Sequence, residues 1–163
     1  MNNVKNSLKT NYLGSQDPSF VSDINGQIQR SKTLKAVRIH PSGDFYNEAY
    51  VEKWIEIVKA NPDVQFWAYT RSWRVPNMVK SLETLSALPN IELFASIDKE
   101  TRDAPEQPPS WLRVADVVED WSTMDRTYVR CPNLRNKNIT CSKCTYCFSK
   151  VTTRKTNVVF EEH

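Results

Sequence analysis

AVRIHPSGDFYNEAYVEKWIEIVKANPDVQFWAYT (residues 36–70) carries strand, helix and strand signals in immediate succession. AVRIH (36–40) is a short β-branched run closed by the turn residues Pro41-Ser42-Gly43-Asp44. Asn47 is placed to cap a helix whose apolar residues Tyr50, Val51, Trp54, Ile55 and Val58 keep the i, i+3, i+4 spacing, and Asn61-Pro62 stops it. VQFWAYT (64–70), rich in aromatic and β-branched residues, is the second strand.

The alternation continues outward. Pro76 suits the first turn of a second helix, with Val79, Leu82, Leu85 and Leu88 on one stripe and Pro89-Asn90 as its end. IELFASI (91–97) is a third strand, and LRVADVV (112–118) a fourth after a loop with Pro105, Pro108 and Pro109. Toward the N-terminus the pattern weakens to Phe20, Val21, Ile24 and Ile28, one short helix broken near Gly26. This predicts an α/β fold of three to four parallel βα units, a half-barrel or open sheet, followed by a C-terminal cysteine-rich metal-binding lobe. The boundaries expected are a polar segment at 1–33, the α/β domain at 34–125 and the basic cysteine lobe at 126–163.

Parallel strands covered on both faces read as continuous apolar runs. Here Arg38 and His40, Glu92 and Ser96, and Arg113 interrupt the apolar residues with period two. One sheet face is therefore expected to be apolar and helix-covered, the other polar. Such a face needs a cover, from a ligand, the first 33 residues, a second copy of the chain or another protein.

The chain has 163 residues, 39% hydrophobic and 25% charged, with five Trp, six Tyr and six Phe, which suits one folded domain rather than a disordered chain. It has no run of about 18 apolar residues and no apolar leader, so the expectation is a cytoplasmic protein without a membrane span. Three glycines cannot build a P-loop or a GxGxxG turn.

The net charge of +3 is unevenly spread: +3 over residues 1–90, −6 over 91–125 and +6 over 126–163, with no acid between Arg126 and Phe160. All four cysteines, Cys131, Cys141, Cys144 and Cys147, fall in that acid-free stretch. In a reducing compartment, clustered thiols on polar loops are metal ligands more often than disulfides. Structural zinc favours paired knuckles, each giving half a tetrahedron. CSKCTYC joined to a remote Cys131-Pro132 instead divides its ligands as bacterial ferredoxins do around each cubane. The spacing favours a [4Fe–4S] cluster, with Zn²⁺ as the alternative. Arg126, Arg130, Arg135, Lys137, Lys143, Lys150, Arg154 and Lys155 would offset the negative charge of such a site, or bind nucleic acid as a basic zinc module does. Tyr146 and Phe148 would shield the metal or stack on bases.

A second candidate lies at the strand ends, where βα folds bind ligands. His40 and Asp44 flank a glycine turn and Arg71 follows the second strand, a possible ligand site or acid–base pair. With no recognisable nucleophile motif, the balance is against an enzyme.

RIHPSGDFYNEAYVEKWIEIVKANPDVQFWAYTRSW (38–73) with CPNLRNKNITCSKCTYCF (131–148) resembles the phage-encoded family known as gene product eighty-eight, whose function is unknown. The likeness covers roughly residues 30–150, and its specific parts are the RIHPSGDFY turn, the spacing from Trp54 to Pro62, FWAYTRSW and the cysteine group. The resemblance implies a viral protein acting in the infected host cell and a fold distantly similar to a partial radical-SAM barrel. Radical-SAM proteins carry a further N-terminal cysteine cluster, and this chain has no cysteine before Cys131. What the resemblance then implies is an auxiliary-type cluster with a structural or electron-transfer role, in a redox-active protein or a truncated relative of a barrel enzyme, with a redox or other protein partner.

Overall fold

The computed structural model describes residues 2–124, 127–149 and 157–161. Six parallel strands form one sheet in the order β1-β2-β3-β4-β6-β5. The first four, β1 (Ala36–Arg38), β2 (Gln65–Thr70), β3 (Ile91–Ile97) and β4 (Arg113–Val118), are neighbours in chain order. The α/β class and parallel pairing expected from the sequence are present.

The helices α3 (Glu48–Ala60) and α4 (Val79–Ser86) bury one face of the sheet. Val51, Ile57, Val58, Leu82 and Leu85 pack against Phe66, Ala68, Ile91, Leu93 and Ala95, all at most 3% exposed. The Asn47 carboxamide accepts from the Tyr50 amide at 2.8 Å and caps α3 as its sequence position suggested. Asn47→Ala is expected to cost about 1 kcal/mol, seen as a lower urea midpoint with an unchanged slope.

Two sequence expectations for the N-terminal segment are corrected. Helix α2 (Phe20–Arg30) runs unbroken through Gly26, and a further helix, α1 (Asn2–Gln16), precedes it. Burial overrides the glycine: Phe20, Val21, Ile24 and Ile28 pack on the α3 side of the core, with the Phe20 ring 5.9 Å from that of Trp54. Glycine in a helix costs only about 1 kcal/mol relative to alanine. The first strand is also shorter than AVRIH, because the chain turns left-handed at His40 (φ 53°).

Two short strands lie beyond those read from the sequence: β5 (Tyr128–Arg130) and β6 (Asn157–Glu161). β6 inserts between β4 and β5, so the segment carrying the cysteines leaves one strand of the sheet and returns to its neighbour. It is thus a crossover of the same sheet rather than a lobe apart from it. It carries two single-turn helices, α6 (Pro132–Arg135) and α7 (Cys141–Cys144); a further single turn, α5 (Lys99–Arg102), follows β3.

This crossover packs on the second sheet face. Trp67 stacks on Phe148 (4.8 Å between centroids), while Phe94, Ala115 and Val158 are buried with Tyr69, Phe160, Tyr146, Cys131 and Cys147 packed against them. The charges flagged by the alternation are accommodated within that interface: Glu92 and Arg113 pair at 3.8 Å, their side chains 8% and 7% exposed. The chain's own cysteine segment therefore covers Glu92 and Arg113.

Candidate metal centre

The four cysteines come from two kinds of backbone. Cys131 ends the strand side, its amide donating to the Val159 carbonyl at 3.0 Å, and Pro132 then opens α6. Pro at this first helical position loses no helical hydrogen bond. Cys141 and Cys144 mark the two ends of α7. Thr145 follows in the left-handed region (φ 56°), fixed by its amide donating to the Cys141 carbonyl at 2.8 Å, and reverses the chain so that Cys147 turns back toward the sheet. Three thiols thus sit on one tight reversal and the fourth on the sheet.

All four cysteines line a single cavity of about 160 Å³, beneath α6 and α7 and above Trp67, Tyr69 and Phe160. Its remaining walls include Leu134, Ile139, Phe148 and Val158, with Arg38 at one side. Among the described residues lining it there is no carboxylate or imidazole; beside the four thiols stand the Asn133 carboxamide and the Tyr69 and Tyr146 phenols. Thiolate sets select soft or borderline metals and iron–sulfur clusters. Among the described residues, no three His, Cys, Asp or Glu side chains are grouped so that they could hold a metal ion. The cysteines share a cavity, and three of them interact electrostatically: Cys131 and Cys144 both act on Cys147.

Burial pushes the Cys147 thiol up to about 11, with the nearby Tyr69 and Arg113 pulling the other way. Binding a metal there requires removing that proton. Arg113 reaches this position from β4, its guanidinium 4.4 Å from the Phe94 ring centre and 5.0 Å from that of Tyr146. Tyr146 and Phe148 accordingly serve packing: one lies over Arg113 and the other on Trp67.

Of the basic residues in this segment, Arg135, Lys137 and Lys143 are exposed, and Lys143 Nζ donates to the Asn138 carbonyl at 3.4 Å. Arg130 pairs with Glu161 and lies over Trp121. Arg126, Lys150, Arg154 and Lys155 lie outside the described residues.

The strand-end residues have different surroundings. One Asp44 oxygen accepts from Thr70 Oγ1 (2.6 Å) and the Phe45 amide (2.7 Å), the other from the Arg71 amide (2.6 Å), so Asp44 ties the β1 loop to the end of β2. The Arg71 guanidinium pairs with Asp98 at the end of β3. His40 faces α3: its Nε2 lies 2.9 Å from the Tyr50 hydroxyl and its ring meets Phe45 and Trp54. These residues share one end of the sheet, with bonds that join loops to each other.

Burial holds the His40 imidazole below its ordinary 6.5, with the Asp44 carboxylate pulling the other way. The folded chain thus disfavours the protonated ring, and the stability this gives is present above pH 6.5 and lost as pH falls toward the depressed value. Thermal midpoints should fall between pH 6.5 and 5 in the wild type, and His40→Asn, which tolerates the left-handed backbone, should flatten that dependence.

Tyr69, Arg38 and Trp67 line the cavity and were not among the sequence candidates. The signal was present: in FWAYT, Trp67 and Tyr69 alternate with the core residues Phe66 and Ala68, which puts them on the second face.

The family model described as Gene product 88 matches residues 1–155. The chain is 32% identical over 149 residues to the Gene 88 protein of Mycobacterium phage L5, covering 78% of this chain and 55% of that protein. It is 28% identical over 142 residues to the Gene 88 protein of Mycobacterium phage D29, covering 80% and 58%. The chain thus spans just over half the length of these curated relatives. No solved structure matches. Among the described residues no helix is long and apolar enough to cross a membrane.

Proposed function

The chain belongs to the gene product 88 family of phage proteins, and from that footing we propose that Cys131, Cys141, Cys144 and Cys147 hold a [4Fe–4S] cluster with a structural or electron-transfer role. The observation that carries this reading is that all four cysteines, divided three and one along the chain, line one cavity without a carboxylate or imidazole among its described lining residues.

Each part of the crossover has a task in this reading. Cys131, anchored to β6, supplies the fixed ligand, and the reversal at Thr145 lets Cys141, Cys144 and Cys147 close from the other side. Trp67, Phe148, Leu134 and Ile139 form the apolar wall on one side of the sulfurs, while Cys141 is exposed to solvent. Arg135, Lys137 and Lys143 offset the site's negative charge from outside, and Arg113 from the sheet. Bound there, the cluster supplies a one-electron couple and a cross-link between crossover and sheet. Four cysteine ligands leave no iron open to substrate, which favours structure or electron transfer over catalysis. Anaerobically purified protein should be brown and absorb near roughly 400 nm, where thiolate-to-iron charge transfer falls. A colourless protein that stays colourless after reconstitution with iron and sulfide would overturn the reading.

A further inference from the structure

The rim where the cysteines meet solvent carries the inference furthest. Of the four thiols Cys141 alone is exposed, while Cys131, Cys144 and Cys147 are half-buried. Arg135 closes α6, Lys137 follows in the loop and Lys143 lies within α7 beside Cys141, all three exposed. Lys143 Nζ reaches back to the Asn138 carbonyl at 3.4 Å, which holds its charge over the loop that carries Lys137. None of the three joins an ion pair among the described residues, and the sequence has no acid between Arg126 and Phe160. Asn136, Asn138, Thr140 and Ser142, interspersed with them, are polar and exposed. The large exposed apolar side chains among the described residues, such as Tyr12 and Trp121, lie elsewhere in the chain. A cationic, polar surface without an apolar centre fits a brief encounter rather than a permanent interface.

Resting on the electron-transfer form of the cluster reading above, we propose that this rim docks an acidic one-electron carrier protein, whose redox centre exchanges an electron with the cluster at Cys141. The exposed ligand is the point where a second protein comes nearest to the site. The cations set the sign of the partner. Together with Arg38 at the cavity's side they outnumber the about two negative charges of a cluster on four thiolates, so the loaded rim stays positive. Opposite charge on the carrier steers it onto the rim and raises the rate of encounter. One electron passes and nothing else: no bond forms or breaks and no proton moves. The carrier is oxidised as the cluster is reduced, or the reverse. Nucleic acid suits the rim less well. Tyr146 and Phe148, beside the cysteines, pack on Arg113 and Trp67 instead of offering faces to bases. Three cations also neutralise few phosphates.

The test uses the reconstituted holoprotein and flavodoxin, an acidic flavoprotein that carries one electron at a time. Stopped-flow mixing measures the second-order rate of electron exchange, in whichever direction the two midpoints make downhill, and calorimetry measures the affinity of the oxidised pair. The wild-type rate should fall about tenfold or more between low and physiological salt, and the affinity should weaken with it. The triple variant Arg135→Glu, Lys137→Glu, Lys143→Glu should lose about tenfold or more of the low-salt rate, yet exchange with a small uncharged mediator as the wild type does. A loaded wild type whose rate and affinity ignore salt overturns the proposal and leaves the cluster in place, as does a loaded triple variant that matches the wild type. If the triple variant does not load iron, the wild-type salt dependence decides alone. An oligonucleotide that displaces flavodoxin from the holoprotein at equal concentration overturns the proposal in favour of nucleic acid. A wild type that binds no iron overturns the cluster reading itself, and this inference with it.

Discussion

Cys147→Ala is expected to reduce iron loading to background, with Cys144→Ala giving the same result. The reason is geometric. In the proposed site Cys147 would be the ligand that the Thr145 reversal carries back to the sheet, where Cys131 follows the end of β5. Removing it leaves three thiols, an apolar wall and no carboxylate or imidazole among the described lining residues to replace the lost ligand. The α3–α4 side of the core is a separate apolar cluster, so the variants should keep their far-ultraviolet circular dichroism while losing iron and colour. Iron retained at wild-type level in both variants would show that the metal sits elsewhere.

Glu92→Ala should be strongly destabilising, costing about 3 kcal/mol. Glu92 and Arg113 face each other at 3.8 Å beneath the crossover, with 8% and 7% of their side chains exposed. Deleting the carboxylate removes the charge facing a buried guanidinium that otherwise meets the Tyr146 carbonyl at 3.5 Å and the Phe94 and Tyr146 rings, so the penalty exceeds that of one lost contact. Replacing both partners by apolar residues of similar size, as Glu92→Leu with Arg113→Met, should recover most of the loss. Denaturant unfolding of the two singles and the double measures this directly. The account adds a signature: the Glu92→Ala penalty should be smaller in iron-loaded protein, because the anionic site beside Arg113 then supplies a partial counter-charge. A double variant as unstable as Glu92→Ala would contradict this view of the pair.

Much of the sheet could be read from local sequence because its signals are local. IELFASI is a mostly apolar run, interrupted at Glu92 and Ser96 and bounded by Pro89-Asn90 and Asp98, and it forms β3 over the residues expected, Ile91–Ile97. Asn47 announces α3 because a carboxamide at that position has an orphan amide to accept from. The strands β5 and β6 were not legible for the opposite reason. YVR is too short to carry a period, and NVVFE pairs with residues some forty positions away, between Ala115 and Val158 for instance. Helix α1 was missed because NNVKNSLKTNYLGSQ offers little apolar face, and its Leu8, Tyr12 and Leu13 remain exposed.

The candidate site divides in the same way. The cysteines were visible through their spacing, which is a property of the chain alone. Tyr69 and Arg38 were not, since nothing in FWAYT says what will lie above the second face of the sheet. The period-two charges did say that the face needed a cover. Which segment would provide it depended on β6 inserting between β4 and β5, a long-range pairing that brings the crossover down onto Trp67 and Phe94.

Iron, zinc and acid-labile sulfide, counted per chain after anaerobic purification, test the central claim most directly. The account predicts about four iron and four sulfide per chain and negligible zinc. One zinc per chain with no sulfide would contradict it.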